Sequence, residues 1–516
     1  MRGNLTLWIR ATALRRRVAR RCSFAAAVCL FTALCACSHP APTPGPAPPG
    51  SASDSLAHVL PARVPTAVAL DWKAFPILPD LSADPKGRTI HVGTDSAGGN
   101  GSRAKPFKTI AAALAASARG DRIVVKGGQY PEGAADGFIA LEIAAGRGGV
   151  TLVSEGGRAV VTPAHAGITY GLDIGASDVA VLGFDFVGFS SSGVVLGNPG
   201  TTARNLVLAN VDVTYDGDAV PNGIAMLPDN GGDDVVDGVL LHNVRVRGAS
   251  IGVQCNTGPC RNLRFEDIEI RGAEAGSNSG YDGLAVESGD NILILGAEVT
   301  GASADGIDIK GTRVAVVNAF VHHVGRNGIK LWRGGDIINS VVSHTGADTS
   351  VSLGTGDYRI VHSVVAYHNW RRSSSYSLVA AYEDATPSSV QLINSVFYRN
   401  SGGMYFGPGT RVSVDGCLFS DIENGNLFEV TTKARKRVSL VLADIDRLPA
   451  LGLGDHNLKS GRQPGFRDSG KADYRLGRNS ALVDAGMVAA DVPVFDLAWG
   501  ARVQGKAPDI GAYEAR

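Results

Sequence analysis

Three neighbouring stretches of the chain repeat one alternation of apolar and polar positions: Tyr281-Asp282-Gly283-Leu284-Ala285-Val286-Glu287, Ala304-Asp305-Gly306-Ile307-Asp308-Ile309-Lys310 and Arg326-Asn327-Gly328-Ile329-Lys330-Leu331-Trp332. Their glycines lie 23 and 22 residues apart. After each Gly the first and third positions are apolar (Leu284/Val286, Ile307/Ile309, Ile329/Leu331), the period of a strand with one buried face. The second and fourth positions are then expected to face outward. A strand that recurs every ~22 residues predicts a parallel β-solenoid, an all-β fold whose coils stack at roughly 4.8 Å. Outward side chains of successive coils form columns. One column reads Ala285, Asp308, Lys330, and the residue before each Gly contributes Asp282, Asp305, Asn327, with Glu287, Lys310 and Trp332 alongside. Asp and Asn before Gly are common turn residues, because their side chains bond the local backbone. That accounts for Asp282, Asp305 and Asn327 but not for Asp308 and Lys330, which sit mid-strand.

A second repeat places a polar residue ahead of an apolar run: Asn210, Asn243, Asn318, Asn339, His362 and Asn394 each occupy this position. Stacked Asn side chains bonding along the coil axis inside a bend are the expected explanation, a structural ladder and not a site. The solenoid is expected to run from about Thr89 to the C-terminus. Its first apolar coil needs a cover, and Pro106 followed by the Ala-rich stretch 111–118 predicts an N-terminal capping helix. At the other end, Asp473-Tyr-Arg-Leu, Ser480-Ala-Leu-Val-Asp484-Ala-Gly486 and Pro508-Asp509-Ile-Gly-Ala-Tyr513-Glu514 read as the closing cap. The expected divisions are residues 1–37, 38–88, 89–430 and 431–516: leader, tether and linker, β-helix, and final coils with cap. Sixty-six glycines and few aromatics suit short strands and tight turns.

Residues 1–37 carry seven arginines and no acid, followed by an apolar stretch from Phe24 to Ala36. That stretch is too short to span a bilayer and reads as an export signal. Its end, Leu34-Cys35-Ala36-Cys37, resembles a bacterial lipobox, which implies a lipid anchor on Cys37 and an exported lipoprotein at the outer membrane or cell surface. Arg20-Arg21 with Phe24 also resembles a twin-arginine signal. From Ser38 to about Ser55 the Pro/Ala/Ser/Gly composition predicts an extended tether. With the leader arginines removed, 42 basic residues face 49 acidic ones, a net charge of about −7. No basic stripe of the kind that nucleic-acid binding requires is present in the sequence. Cys255-Asn-Thr-Gly-Pro-Cys260 is expected to close a small disulfide loop, and Cys417, in an alternating strand, to be a buried free thiol.

The three repeated turns resemble those of the right-handed β-helix pectate lyases of polysaccharide lyase family 9. In that family an Asp-Gly turn and an Asp-Asp-Gly-x-Asp turn supply Ca²⁺ ligands, and an Asn-Gly-Phe-Lys-Leu segment supplies the catalytic base. Asp282-Gly283, Asp305-Gly306-Ile307-Asp308 and Asn327-Gly328-Ile329-Lys330-Leu331 match in order and spacing; Ala304 stands where the family has another carboxylate. The resemblance implies Ca²⁺ held by Asp282, Asp305 and Asp308, with Glu287 or solvent filling the missing place, and Lys330 as proton acceptor. The chemistry is consistent: β-elimination removes the proton on C5 of a uronate, and a cation bound to the uronate carboxylate stabilises the charge that develops. The base must be neutral; Asp308 one coil away favours the charged amine, and a bound divalent cation reverses that local sign. Arg326 and Arg333 are candidates for holding other carboxylates of an acidic polysaccharide, and Trp332 for stacking on a sugar, by a protein expected to act as a monomer. Three other readings stay open: a glycoside hydrolase of the polygalacturonase type, since Asp305-Gly-Ile-Asp308 also resembles a motif of that family; a C5 epimerase; and a non-catalytic surface glycan-binding solenoid. If Cys37 carries the anchor, Cys37→Ser moves the mature protein out of the membrane fraction; retention of that variant in membranes overturns the assignment.

Overall fold

The computed structural model describes residues 66–197, 200–215, 221–228, 235–256, 258–272, 280–371, 375–380, 387–431, 437–459, 461–488 and 492–516. The leader, Cys37 and the tether up to residue 65 lie outside the described residues. No helix among the described residues is long and apolar enough to cross a membrane.

The chain winds into a right-handed parallel β-helix with three strands per coil. Coil stacking is in register: Leu284 pairs with Ile307, Ile307 with Ile329, Ile329 with Val351, Val351 with Leu378 and Leu378 with Met404. The interior is one continuous apolar column from Ile90 to Leu448. The helix Ile110–Ala116 lids its first coil with Ile110, Ala113 and Leu114 buried. Its N-terminus is satisfied twice over, by Thr109 accepting from Ala112 N at 3.2 Å and by buried Glu132 accepting from Ile110 N at 2.6 Å.

Two of the three strands in a coil are separated by a single left-handed residue. At the same register position stand Gly183, Asn210, Asn243, Asp267, Gly296, Asn318, Asn339, His362, Asn394 and Gly416, all with φ between 47° and 81°. These are residue types that tolerate this region. The polar members do form a ladder in part: Asn243 Nδ2 donates to Asn210 Oδ1 at 2.6 Å. Asn394 Nδ2 likewise meets His362 Nε2 at 3.0 Å; the expectation needs correction at Asn318 and Asn339, which donate to the backbone carbonyls of Asp496 and Phe495, and Asn394 donates to that of Met487 as well.

The C-terminal tail therefore does not close the solenoid, as its position in the sequence suggested. The last coil is closed by the antiparallel strand Arg437–Val441 and the 3-10 turns that follow, which insert Ile445 and Leu448 into the interior column. The tail lies instead along the flank, where Tyr474, Leu476, Leu482 and Ile510 cover the outward residues Val341, Val364, Val396 and Leu418. Cys417 is a buried free thiol.

Residues 66–88 correct a second expectation, for they are not linker. They form a strap that runs back along another flank. Ala67 N and Asp71 N donate to Asp336 Oδ2 (2.6 Å) and Asn291 Oδ1 (2.8 Å), and Phe75 packs on Leu293, Leu295 and Ala315. Farther on, Leu78 meets Val207 and Leu240, and Arg122 of the first coil donates to the carbonyls of Leu81 and Ala83. Between them strap and tail clothe two faces, with Phe495 and Trp499 of the tail joining the strap on its flank. Among the described residues neither packs apolar side chains on the third face, which carries Asp308 and Lys330.

Arg502 is the pin of the tail: at 1% exposure it donates to Asn339 Oδ1, Glu514 Oε1 and the carbonyls of Gly511 and Ala512. Arg502→Ala strands a buried carboxylate at Glu514, so unfolding in denaturant is expected to show a loss on the order of 3–5 kcal/mol. A loss below ~1 kcal/mol would mean that the tail is held by its apolar contacts alone.

Candidate active site

The third face is built on the repeated turns. Gly283, Gly306 and Gly328 are required there by packing, since a Cβ at each would lie 2.4, 2.3 and 2.1 Å from a core valine methyl. The preceding Asp282, Asp305 and Asn327 are not left-handed turn residues. Each instead receives hydrogen bonds from the next coil. Asp282 Oδ1 accepts from Asp305 N (3.0 Å); Asp305 Oδ1 accepts from Asn327 N (3.1 Å) and Nδ2 (2.8 Å). Asn327 Oδ1 in turn accepts from Thr349 N (3.1 Å), Thr349 Oγ1 (2.9 Å) and Ser352 Oγ (3.1 Å). Sequence reasoning missed Thr349, although one more 22-residue step from Asn327 lands on it.

The pairing puts Ala285, Asp308, Lys330 and Ser352 side by side in one column. They point away from the apolar interior, but they are not exposed: Asp305, Asp308 and Lys330 retain 2%, 4% and 6% of their surface. Lys330 Nζ sits 3.3 Å from Asp305 Oδ2 and 3.4 Å from Asp308 Oδ2. Trp332 covers it, with the ring centroid 4.9 Å from Nζ and Nε1 donating to Asp308 Oδ1 at 2.7 Å. Lys310 Nζ lies 5.3 Å from the same ring and is paired with Glu287. Cys255 and Cys260 are disulfide-bonded, and Glu287 N donates to Cys255 O at 3.0 Å, which ties that corner to the preceding coil.

Asp282, Asp305, Asp308, Lys330 and Trp332 thus form one cluster. The other expected site residues stand apart from it: Glu287 is committed to Lys310 at the rim, exposed Arg326 is paired with Asp348 (2.7 Å) one coil on, and Arg333 is exposed. Among the described residues no group of three or more His, Cys, Asp or Glu side chains is gathered closely enough to hold a metal ion. Lys330 lies between Asp305 and Asp308, and Glu287 is held by Lys310. The donor set nevertheless suits a hard cation, since three carboxylates face one ammonium. The electrostatic trace of that imbalance is on Asp282, whose pKa is pushed up to about 7 by burial and then by the charge of Asp305, with Asp308 adding to it. Asp308 is also shifted upward by burial, against the pull of Lys330 and Trp332. Ala304, at 1% exposure, adds no donor.

No protein-family model matches the sequence, and no curated protein matches it. Among solved structures, the chain is similar to pectate lyase Pel9A at 15% identity and a TM-score of 0.46, covering 83% of this chain and 97% of that one. It is also similar to a PL6 alginate lyase (12% identity, TM-score 0.39, 67% and 85% covered). A third is the A-module of the Azotobacter vinelandii mannuronan C-5 epimerase AlgE6 (14%, TM-score 0.38, 60% and 92%).

Asp282 yields a pH test. A carboxyl whose folded pKa lies near 7 against an ordinary 3.8 binds its proton more tightly when folded. Its ionisation therefore costs stability progressively as pH rises from about 4 through 7, and by a constant amount above that. In chelator, Asp282→Asn keeps the acceptor for Asp305 N and is expected to unfold at higher urea than the wild type at pH 8, by on the order of 1 kcal/mol or more, with the gain absent at pH 4. An equal effect at both pH values overturns the assignment.

Proposed function

We propose that this protein is a polysaccharide lyase that cleaves a uronic-acid polymer, such as pectate, by β-elimination, with Lys330 as proton acceptor and Ca²⁺ as cofactor. The observation that carries the reading is Lys330 itself, an amine on the outward side of a β-helix coil, held between two carboxylates under an indole. A structural ion pair has no need of the third carboxylate, Asp282, or of a tryptophan that hydrogen-bonds one member while covering another. Asp282, Asp305 and Asp308 would hold the cation, which when bound supplies positive charge to the uronate carboxylate and lowers the barrier to losing the C5 proton.

The chain's own residues then divide the work. Lys330 lies between two carboxylates, and only as the neutral amine can it accept a proton. It becomes a base once the negative charge of Asp305 and Asp308 is compensated and the amine has given up its proton, so the rate is expected to climb toward alkaline pH. Asn327 fixes Asp305, and through it Lys330, because its amide spans two coils. Trp332 excludes water on one side of the amine and offers the rest of its face to a sugar ring. Arg326 and Arg333 would meet further carboxylates of a polymer laid along the coils. Glycoside hydrolysis needs an acid and a base carboxylate at the scissile bond; here Asp305 and Asp308 are both turned to Lys330.

The test is incubation with a panel of uronate polymers, with and without Ca²⁺, following the ultraviolet absorbance of the unsaturated product. Lys330→Ala and Lys330→Arg are each expected to lose ~10² to 10⁴-fold in rate while remaining folded, since arginine stays protonated. Retention of most activity by Lys330→Arg overturns the mechanism, and loss on Lys310→Ala instead assigns the base to Lys310. Inverted C5 centres without the unsaturated product would make the protein an epimerase.

A further inference from the structure

The turn that carries Asn327 is one of a stack. Because Phe320 pairs with Val341, Val341 with Val364, Val364 with Val396 and Val396 with Leu418, the turns that begin at residues 325, 346, 367, 399 and 421 occupy equivalent places in successive coils. Their backbones are bonded turn to turn: Asn369 N to Thr345 O, Ser401 N to His368 O, Glu423 N to Asn400 O, at 2.9–3.1 Å. Beneath them runs a buried polar spine. Thr345 Oγ1 meets His368 Nδ1 at 2.9 Å, His368 Nε2 meets Ser375 Oγ at 2.7 Å, and His368 N donates to Asn400 Oδ1 at 2.9 Å. The floor of this edge is therefore fixed from the proposed active site onward.

Two to four coils past Asn327, roughly 10 to 19 Å at the coil spacing, the same edge opens into a cavity of about 390 Å³ lined by Trp370, Arg371, Arg399, Asp421, Ile422 and Glu423. Its polar groups are set by the backbone. Arg399 and Asp421 stand at a coil corner that they share with His323, His344 and Tyr367, all with φ between 50° and 55°, and Arg371 in the adjoining turn has a φ of 60°. The Arg371 guanidinium lies 5.7 Å from the Trp370 ring centroid, and its backbone N–H donates to Glu423 Oε2 at 3.1 Å. Arg399 is steadied by Tyr367 Oη (2.9 Å), by Asp421 Oδ2 (3.4 Å) and by the Tyr398 ring at 5.0 Å. An indole face, two guanidiniums and two carboxylates around one cavity are complementary to a single acidic sugar unit. The ring's C–H face suits Trp370, its carboxylate the arginines, and its hydroxyls Glu423 and Asp421.

We infer that this cavity is a remote subsite that binds a uronate unit of the same polymer strand whose scission is assigned to Lys330, so that the protein grips long chains better than short ones. The inference rests on the lyase reading and deepens it. Arg326, in the first turn of the stack and paired with Asp348 of the second, lies on the path between the two places.

The test uses full-length Lys330→Ala, whose turnover is expected to be ~10² to 10⁴-fold slower, in calorimetric titrations with saturated oligogalacturonates and oligomannuronates from trimer to octamer. Octamers are expected to bind at least tenfold more tightly than trimers. Adding Trp370→Ala and Arg371→Ala should erase that advantage while leaving the trimer affinity in place, and Trp370→Phe should restore part of it. Circular dichroism and thermal unfolding check that each variant is folded. If the added substitutions leave octamer affinity unchanged, or weaken trimer and octamer alike, the subsite is overturned and the lyase reading stands. If folded Lys330→Ala binds none of the oligomers, the lyase reading falls and the subsite with it.

Discussion

The coil register of this molecule depends on corner positions that stay left-handed from coil to coil. Gly183, Asn210, Asn243, Asp267, Gly296 and their successors turn the chain from one face to the next, and because they do so at the same register each strand begins where its neighbour began. A β-branched residue there would cost enough to shift the turn, and a one-residue slip would move the apolar set outward. The site inherits its precision from that constraint. Asp308 and Lys330 are adjacent because Ile307 and Ile329 are paired, not because the two charges seek each other.

This explains how much could be read beforehand. The period, the facing of Leu284/Val286 and its repeats, and the column Ala285, Asp308, Lys330 follow from local alternation, and the structure reproduces them residue for residue. Alternation tells which way a side chain points; it does not tell what covers it. Lys330 was therefore legible as outward but not as a residue with 6% of its surface left, beneath Trp332. The partners of Asn318, Asn339 and Asn394 were illegible for a related reason: they lie 93 to 178 residues away, on a tail that has no repeat of its own. The strap left a faint signal, the alternation Val68, Leu70, Trp72 inside what composition marks as linker. The cavity residues belong to turns, where no period operates, and a Trp-Arg pair in a long loop was the sole cue.

The proposed site has an internal counter-ion. Lys330 neutralises part of a carboxylate cluster that would otherwise repel itself, and the residue left with the deficit is Asp282, farthest along the ladder. A cluster balanced in this way holds together through its own ion pairs, with carboxylates outnumbering the ammonium. Removing either Asp305 or Asp308 would break one of those pairs, whereas removing Asp282 would leave both.

The strap gives the chain an unusual mechanical layout. Coming from its N-terminal side, the polypeptide reaches the solenoid beside Asp336, well up the stack, and descends past Asn291 to Arg122 before the first coil is wound. Any pull arriving through the preceding residues is thus delivered to the middle of the rod. A pull directed along the strap loads the bonds to Asp336 and Asn291 and the packing of Phe75 in shear, together, and does not peel them one after another from a frayed end. Tension carried that way reaches the middle coils before it reaches the first one.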